Sequence, residues 1–578
     1  MQSETRQCQN CKNDFTIEPD DFGFYEKIKV PPPTFCWRCR YIRRLLDRNE
    51  YNFYKRKCDA TGRDIISIYR QEQPFPVYEQ EYWKSDKFDG AEYGRDFDFS
   101  RPFFEQYEEL RNIVPHLALV NSSSVRSEYT NQAEVNKECY MLVTSGRSEK
   151  CMYGNWLENC YFMADCSMAD KSEFCYESLN IATSSHCAWI YNCSDCVNVY
   201  FSSDCRGCTD CFGCVGLRGQ QYYYFNENVG KTEYEKLVKN FAWDRKFIRQ
   251  AKEKFLKLYK SFPVKFYHGV NVKNSFGDYI INSQNARLVF NCGDNKDTAY
   301  MQDAWLQTGD CLDCTEIIQG QLAYECQGVV APHRSIAIRS GHNTVTDSYY
   351  CDMCFNIQDC LGCFGLKQKK YCILNKQYTK SEYLKLKAKI IVHMRKTGEW
   401  GEYFPAKYSP FAYNESMAQD YFPLTKEEAL QAGYTWYDRP ERDYKVTLST
   451  KDLPKTFKDT SEDIINEVIK CASQSEKEKY PLCTTAFKIT PLELSLYKIL
   501  NIPVPEKCFP CRRQDRFQFR NPRALWHRAC MCEIEKHGHA EKCPNEFETS
   551  YPPASAMSEA LRAGAPAPRY AEGSGEAR

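Results

Sequence analysis

Short apolar runs alternate with polar turns through the middle of the chain. Residues 138–140, 159–161 and 174–176 each place a Cys-Tyr pair in such a run, and Asn, Asp and Ser separate the runs. Because no long helical period interrupts them, the pattern predicts short strands stacked as the coils of a β-solenoid. Small apolar side chains, free thiols among them, are expected to form ladders inside it.

The solenoid pattern occurs twice. Residues 211–217, Cys-Phe-Gly-Cys-Val-Gly-Leu, recur at 360–366 as Cys-Leu-Gly-Cys-Phe-Gly-Leu, 149 positions later. The duplication divides the middle of the chain into one unit over 121–262 and a second unit over 270–397.

Each solenoid unit is predicted to end in a capping helix. Thr232 with Glu235, and Thr379 with Glu382, have the spacing of a capping box ahead of Lys-rich amphipathic runs. We expect these helices to cover an otherwise open end of each coil stack.

A second duplication links the two ends of the chain. A set of residues near the N-terminus recurs 472 positions later, and the match extends to Cys58 and Cys530. The matching pairs are Cys11 and Cys483, Phe15 and Phe487, Ile17 and Ile489, Tyr25 and Tyr497, Pro31 and Pro503, Pro33 and Pro505, Cys36 and Cys508, Cys39 and Cys511, and Arg40 and Arg512. Between the cysteine pairs of the first copy, Phe15, Ile17, Phe24 and Tyr25 are typical of two antiparallel strands.

The connecting segments carry weaker signals. After Cys58 the first copy continues into Thr61-Gly62 and an apolar run, which predicts a second ribbon that kept its fold and lost its metal. A capped helix is predicted from Phe103 to Val114, and another from Thr425 to Ala432.

The predicted fold is multidomain and mostly β with α: two terminal zinc-ribbon modules flank a duplicated Cys- and Tyr-rich β-solenoid with capping helices. In chain order the predicted segments are 1–58, a zinc ribbon with a basic helix; 59–120, a metal-free ribbon remnant and connecting helix; 121–262 and 270–397, the solenoid units; 398–470, a Tyr- and Pro-rich linker; 471–551, the second zinc-ribbon module; and 552–578, a disordered tail.

Composition adds two constraints. The 578 residues include 77 basic and 77 acidic side chains, so attraction to nucleic acid must come from local patches. The polar N-terminus and the lack of a long apolar stretch predict a cytoplasmic protein without membrane contact. In that reducing compartment the 33 cysteines are expected as thiols or metal ligands rather than disulfides.

Metal binding is the strongest chemical prediction. Cys8, Cys11, Cys36 and Cys39 form two Cys-x2-Cys knuckles, which is how a zinc ribbon builds a closed tetrahedral site. The alternative is a set of buried structural thiols. In the second copy Tyr480 stands where Cys8 is expected, so Cys471 is predicted to substitute. The ligands predicted there are Cys471, Cys483, Cys508 and Cys511, and a third Zn²⁺ site is left open at Cys530, Cys532, His537, His539 and Cys543.

Each ribbon is followed by a row of arginines. The residues are Arg38, Arg40, Arg43, Arg44 and Arg48 in the first copy, and Arg512, Arg513, Arg516 and Arg520 in the second. Guanidinium groups recognise phosphate with forked donors, which predicts nucleic-acid binding. Two alternatives stay open: the arginines pair with Asp and Glu of neighbouring domains, or they are solvated.

Four cysteines in the first solenoid unit have a suggestive spacing. Cys205, Cys208, Cys211 and Cys214 approach the pattern that holds an iron-sulfur cluster, but the last gap is two residues rather than three. Zinc and a structural thiol ladder are the other interpretations, and the ladder is preferred to an Fe-S cluster.

Several short sequence segments resemble one known family. They are residues 35–40, 57–62, 94–105, 211–217 and 421–429. Together they resemble an uncharacterised family of cysteine-rich zinc-ribbon proteins of candidate-phyla bacteria, whose members sometimes carry a CaiB/BaiF (coenzyme A transferase) label. Members of that family end with a further strand and a Cys-x2-Cys pair, where this sequence has an Ala-rich tail; the resemblance therefore implies a frameshifted or replaced C-terminus.

The leading hypothesis is a non-enzymatic zinc-binding scaffold whose ribbons engage nucleic acid or a nucleoprotein complex. A second is a protein-interaction platform that uses an aromatic solenoid face, for which the candidates are Tyr191, Tyr200, Tyr222, Tyr223 and Tyr224. A third is an Fe-S or thiol-dependent enzyme, including a CaiB/BaiF-type coenzyme A transferase.

Overall fold

The computed structural model describes residues 2–239, 241, 243–440, 443–476, 479–532 and 543–553. The chain forms two compact units. The first unit comprises the chain up to Leu119, Lys265–Tyr437 and Arg523–Pro553, and the second comprises Val120–Val264 and Asp438–Pro522. The first unit therefore combines the N-terminal region and Arg523–Pro553 with one half of the duplicated middle, and the second combines Asp438–Pro522 with the other half.

The N-terminal part of the first unit consists of short hairpins and helices. Its elements are β1 (Glu4–Gln7), β2 (Asp14–Ile17), α1 (Pro19–Ile28), α2 (Trp37–Leu46), β3 (Tyr54–Lys57), β4 (Asp64–Ser67), β5 (Val77–Tyr78), α3 (Gln80–Lys84), α4 (Phe103–Ile113) and β6 (His116–Leu117). The pairs β1–β2 and β3–β4 are antiparallel, whereas β5–β6 is parallel. The helix predicted from Phe103 is present as α4.

One prediction for this region is wrong. Phe24 and Tyr25 lie in α1, not in a strand. Pro19 occupies the first turn of α1, where its missing N–H costs nothing, and Asp20 and Asp21 follow it at the positive end of the helix. These local start signals outweigh the aromatic character of the two residues.

The second unit contains an 11-stranded sheet. Its strands are β7 (Asn121–Ser122), β8 (Asn131–Glu134), β9 (Tyr140–Gly146), β10 (Met152–Glu158), β11 (Ala164–Asp170), β12 (Tyr176–Ala182), β13 (Ala188–Ser194), β14 (Val197–Ser203), β15 (Thr209–Phe212), β16 (Gln221–Tyr224) and β17 (Glu227–Asn228). Each strand from β7 to β15 pairs in parallel with the next strand along the chain, and β16 pairs with β17 in antiparallel orientation. The helices α5 (Gly230–Lys239) and α6 (Arg245–Ser261) follow, so Thr232 lies inside α5 rather than at its start.

The first unit contains the equivalent sheet. Its strands are β18 (Gly269–Val270), β19 (Phe276–Ile281), β20 (Gln284–Gly293), β21 (Asn295–Ala299), β22 (Thr308–Leu312), β23 (Gln321–Tyr324), β24 (Pro332–Ile336), β25 (Gly341–Thr346), β26 (Cys354–Leu361), β27 (Lys370–Ile373) and β28 (Lys376–Gln377). The helix α7 (Lys380–Lys396) closes it and begins at Thr379 with the predicted capping box to Glu382.

The remaining elements complete the chain. They are α8 (Ala418–Tyr421), α9 (Lys426–Gln431), β29 (Ile469–Lys470), β30 (Ala486–Phe487), α10 (Pro491–Leu500), α11 (Phe509–Phe517), β31 (Trp526–Ala529) and β32 (Glu546–Thr549). The predicted helix at Thr425 is α9, and Gly433, with a φ of +81°, follows its end.

The backbone of the sheet β7–β17, in the second unit, repeats every 12 residues and, within each repeat, every three residues. Met152, Ala164, Tyr176 and Ala188 are successive partners along the sheet, so neighbouring strands are offset by 12 residues. Within each repeat, every third residue from Ser123 to Asp204 has a positive φ, between 45° and 56°. Such a conformation is costly for a residue with a Cβ, and it persists here because the ladder fixes it. For example, the N–H of Glu138 donates to the carbonyl of Val125 at 2.9 Å.

The interior of this sheet region obeys the same three-residue period. Its buried core residues are Cys139, Leu142, Cys151, Leu157, Cys160, Met163, Cys166, Ala169, Cys175, Ile181, Cys187, Ile190, Cys193, Cys196, Val199, Cys205, Cys208, Cys211 and Cys214. All of them are separated by multiples of three. A free thiol is small and apolar enough to recur at this close spacing in a packed interior, which accounts for the abundance of cysteine.

Candidate metal centres

Four cysteines meet next to the first hairpin. The sulfur atoms of Cys8, Cys11, Cys36 and Cys39 all lie within 4.8 Å of one another. Cys8 follows β1, and Cys11 lies in the turn that leads to β2. Cys36 and Cys39 lie at the start of α2, where Cys36 is the N-cap residue. The hairpin and the helix therefore each contribute one pair of sulfurs.

Backbone hydrogen bonds fix the hairpin pair. The N–H of Cys8 donates to the carbonyl of Asn13 at 2.9 Å, and the N–H of Lys12 donates back to the carbonyl of Cys8 at 3.1 Å. Lys12 has a φ of +62°, which lets the chain reverse tightly between the two strands. This turn brings the sulfurs of Cys8 and Cys11 to one side.

The start of α2 favours a thiolate at Cys36. The first N–H groups of a helix have no partner in the helix, and its dipole is positive at this end. The N–H of Cys36 donates to the sulfur of Cys8 at 3.3 Å, and Asn10 Nδ2 donates to the sulfur of Cys39 at 3.4 Å. Hydrogen bonding from the Cys39 thiol lowers the pKa of Cys36 to about 5. Anionic sulfur, the form that binds metal, is thus favoured at Cys36, whereas the same hydrogen bond raises the pKa of Cys39.

The second group has the same construction in the other unit. The sulfurs of Cys471, Cys483, Cys508 and Cys511 lie within 4.8 Å of one another, which is the predicted grouping. Cys471 N–H donates to the carbonyl of Thr485 at 2.9 Å. Cys508 is the N-cap residue of α11, its N–H donates to the sulfur of Cys471 at 3.3 Å, and bonds from the neighbouring thiols lower its pKa.

The sulfur spacing fits a tetrahedral ion. Four sulfurs at about 2.3 Å from a zinc ion are about 3.8 Å apart. Among the observed sulfur–sulfur distances are 3.7 Å for Cys11–Cys36, 4.0 Å for Cys471–Cys511, 3.9 Å for Cys483–Cys508 and 3.4 Å for Cys508–Cys511. Both groups could therefore hold a metal ion of this size, and their sulfur ligands suit soft or borderline ions such as zinc.

The third predicted group is only partly described. His537 and His539 lie outside the described residues. Cys530 follows β31, with its N–H donating to the carbonyl of Asn545 at 2.8 Å, and the N–H of Cys543 donates to the carbonyl of Cys532 at 3.2 Å. Metal binding at these residues stays a prediction.

The arginines of α2 lie against the sheet β18–β28, which belongs to the same unit as α2. Arg40 pairs with Asp313 at 2.9 Å and Arg43 pairs with Glu325 at 3.1 Å. Arg44 pairs with Glu325 at 2.9 Å and is fully buried. Arg48, also buried, pairs with Glu50 and Glu316, while Arg38 is half-buried with its guanidinium 5.2 Å from the ring of Phe422.

The arginines of α11 make the equivalent contacts in the second unit. Arg512 Nε and Arg516 Nη1 both reach Asp165, at 2.8 and 2.9 Å, and Arg512 also pairs with Glu493 at 3.2 Å. Arg513 and Arg520 are buried, with their guanidinium groups 4.7 and 4.3 Å from the ring of Phe517.

These contacts bear on the prediction that the arginines bind the phosphates of a nucleic acid. A guanidinium that is buried and paired with a carboxylate offers no donor to a phosphate backbone in this conformation. The observed pairing corresponds to the alternative in which the arginines bind acidic residues of a neighbouring segment. Nucleic-acid binding by these side chains stays a prediction without a contact that favours it.

The spacing of Cys205, Cys208, Cys211 and Cys214 follows from the three-residue period of the interior. Each thiol donates to the carbonyl two residues earlier, for instance Cys205 to Ser203 at 3.5 Å and Cys214 to Phe212 at 3.3 Å. The same bond is made by Cys160 and Cys175, far from this run. The Cys-x2-Cys-x2-Cys pattern was thus a signal of the repeat, and the period of three is the feature that sequence reasoning missed.

The candidate stacking tyrosines pack inside the second unit. The ring of Tyr191 is buried and stacks on Phe519 with 3.8 Å between centroids. Tyr200 packs edge-on against Trp243 at 5.0 Å, and Tyr222 against Tyr234 at 5.9 Å. Filling the space between the sheet and its flanking elements accounts for these three rings.

Comparison with known proteins adds little. No family model matches the chain, and no curated protein matches it. A solved structure of a "putative acetyltransferase" from Desulfovibrio desulfuricans G20 is 8% identical with a TM-score of 0.10, over 44% of this chain and 63%, less than two thirds, of that chain. A TM-score this low carries no argument about fold or activity. In the described part of the chain, every helix is too short or too polar to cross a membrane.

Proposed function

We propose that this protein is a zinc-binding scaffold in which two ribbons are each fastened to a β-solenoid. The observation that carries the proposal is the pair of four-cysteine groups, each with all sulfurs within 4.8 Å of one another. Both groups combine a hairpin knuckle with a helix N-cap cysteine, which is a design suited to holding an ion rather than to packing thiols.

The two parallel sheets are the proposed solenoids. In the sheet of the second unit, the 12-residue offset repeats in a second row of bridges, Lys137 to Glu149, Glu149 to Tyr161 and Tyr161 to Glu173. Two parallel rows with one period are what successive coils of a single winding chain produce. A rod of this kind buries its ladder internally and presents a regular outer surface.

The arginines supply the fastening. Arg40, Arg43 and Arg44 in the first unit, and Arg512 and Arg516 in the second, are buried with acidic partners. We therefore assign these five to holding each ribbon on its solenoid rather than to nucleic acid. A metal-stabilised ribbon keeps the arginine helix in place, and the helix in turn places its guanidinium groups over the acidic residues. Metal binding in such sites contributes roughly 10 to 16 kcal/mol and is coupled to folding.

The test is to count bound metal in protein purified without chelators. We expect two equivalents of zinc from the two groups, a loss of about one equivalent in Cys8→Ala and about one in Cys471→Ala. Cys160→Ala is the matched control, because this buried thiol bonds a carbonyl within the sheet interior and its loss should leave the metal content unchanged. Less than one equivalent in the parental protein would refute the proposal.

A further inference from the structure

A third segment of the chain repeats the ribbon backbone. After β3, the N–H of Cys58 donates to the carbonyl of Arg63 at 2.9 Å, the same distance as between Cys8 and Asn13 in the first ribbon. The N–H of Gly62 then donates to the carbonyl of Cys58 at 2.8 Å, as Lys12 donates to Cys8. Gly62 has a φ of +71° where Lys12 has +62°. The hairpin β3–β4 is therefore built as the metal-site hairpin β1–β2 is built.

The helix that follows is also equivalent. The N–H of Glu79 donates to the sulfur of Cys58 at 3.3 Å, which equals the distance from Cys36 to Cys8 and from Cys508 to Cys471. Glu79 is the N-cap residue of α3, with φ and ψ of −61° and 151°. The corresponding angles are −64° and 158° at Cys36 and −64° and 160° at Cys508.

This equivalence identifies the residues at the four ligand positions. Cys58 occupies the position of Cys8. Thr61, three residues later, stands where the second knuckle cysteine is found. Glu79 and Tyr82 stand where Cys36 and Cys39 are found. Three of the four sulfur ligands are thus replaced by oxygen-bearing side chains.

The replacements bind one another. Thr61 Oγ1 donates to Glu79 Oε1 at 2.8 Å. Arg63 Nη2 lies 2.7 Å from the same carboxylate oxygen. The Arg63 guanidinium thus pairs with the carboxylate of Glu79 at the N-cap of α3. The Thr61 hydroxyl bonds the same carboxylate and so links the turn between β3 and β4 to α3, as a shared metal ion would.

We propose that residues 54–84 form a metal-independent third ribbon, in which the Thr61–Glu79–Arg63 contacts replace a bound ion. The assignment of ligand positions rests on the proposed metal binding at the two four-cysteine groups. It predicts that this segment keeps its fold when metal is removed, and that restoring three sulfurs creates a new site.

The first experiment compares bound zinc in single variants. Cys58→Ala and Glu79→Gln are expected to keep the metal content of the parental protein, and Glu79→Gln should lower the midpoint of thermal unfolding. Loss of one equivalent of zinc in folded Cys58→Ala or Glu79→Gln would overturn the proposal. Cys8→Ala, measured alongside, tests the first metal site separately, so a failure there is distinguishable from a failure here.

The second experiment restores the ligands. The combined variant Thr61→Cys, Glu79→Cys and Tyr82→Cys is expected to bind one more equivalent of zinc than the parental protein, and adding Cys58→Ala should weaken that binding. A folded combined variant that gains no zinc would overturn the equivalence of the ligand positions. If the combined variant does not fold, the single variants decide the question.

Discussion

Arg44 shows how much one side chain contributes to its unit. Its guanidinium donates to Gln302 and Thr315, each at 3.2 Å, and to Glu325 at 2.9 Å. Gln302 and Thr315 pair in a parallel β-bridge, so they belong to neighbouring repeats of the sheet β18–β28. One guanidinium thus joins several repeats to α2, and its five donors match that geometry where a lysine could not.

Replacing Arg44 by Ala should therefore destabilise the protein strongly. Removing one partner leaves Glu325 buried without its closest cation, which costs about 3 to 5 kcal/mol in comparable pairs. The midpoint of urea unfolding should fall, whereas Lys55→Ala, at an exposed position of β3, should leave it unchanged. Binding of RNA that is weakened by Arg44→Ala in a folded protein would instead support the phosphate-reading role.

Asp352 gives the first unit a dependence on pH. Burial raises the pKa of this carboxyl to about 6, although Arg339 and Arg111 oppose the effect and Asp47 adds to it. The folded form holds its proton more tightly than the unfolded chain, so stability decreases as pH rises from about 4 to about 6.

The variant Asp352→Asn removes this dependence. Between pH 5 and pH 7.5 its free energy of unfolding, relative to that of the parental protein, should rise by roughly 1 kcal/mol. Urea unfolding at the two pH values measures the difference. An unchanged or opposite difference would show that Asp352 is not held protonated in the folded state.

At the scale of elements, the columns of buried side chains explain the cysteines of the sheet regions. Ser184, Cys196 and Cys208 lie 12 residues apart, which is one repeat. The Ser184 hydroxyl donates to the carbonyl of Ala182 at 2.9 Å, and the Cys208 thiol donates to Arg206 at 3.5 Å. Serine and cysteine therefore make the same bond in one column, and either residue satisfies it.

This exchange predicts the behaviour of Cys208. Cys208→Ser should change the free energy of unfolding by less than about 1 kcal/mol. Cys208→Leu should cost about 1 to 3 kcal/mol, because the larger side chain overfills the interior. Neither variant should alter the metal content, and loss of iron or zinc on Cys208→Ser would show that these thiols hold a metal after all.

At the scale of the whole molecule, the two units contain one interface in two versions. Arg40 lies 5.2 Å from the ring of Tyr300 and pairs with Asp313 at 2.9 Å. Arg512, 472 positions later, lies 5.3 Å from the ring of Tyr153 and pairs with Asp165 at 2.8 Å. The duplication therefore includes the contact between ribbon and sheet, not only the separate parts.

Asp165 is the position where this interface is most vulnerable in the second unit. It accepts from both Arg512 and Arg516, so Asp165→Asn takes this anion from Arg516 and leaves Arg512 with Glu493, at a cost of about 3 kcal/mol. Hydrogen exchange should show lost protection in α11 and β11. Glu128→Gln, at an exposed position near the start of the same sheet, is the control, and equal protection in both variants would contradict the assignment.

The local features of both metal groups could be predicted from the sequence. A knuckle needs two cysteines at fixed spacing and a tight turn, and the 472-residue offset placed Cys483, Cys508 and Cys511, while Cys471 was predicted as the substitute where Tyr480 interrupts the register. The helix starts at Thr379 and Thr425 could also be predicted from the sequence, because a capping box is formed within four residues. In each case the interacting groups are neighbours along the chain.

Only the tertiary structure decided what the arginines bind. Arg40 and Arg44 meet Asp313 and Glu325, whose positions are separated from α2 by nearly half of the chain, and those acids look in the sequence like ordinary turn residues. The parallel pairing of the strands brings their repeats together, and both acids are buried beneath the helix. The sequence by itself therefore determined the short-range chemistry of sulfur and caps, while the choice between phosphate and carboxylate depended on long-range packing that removes these charges from water.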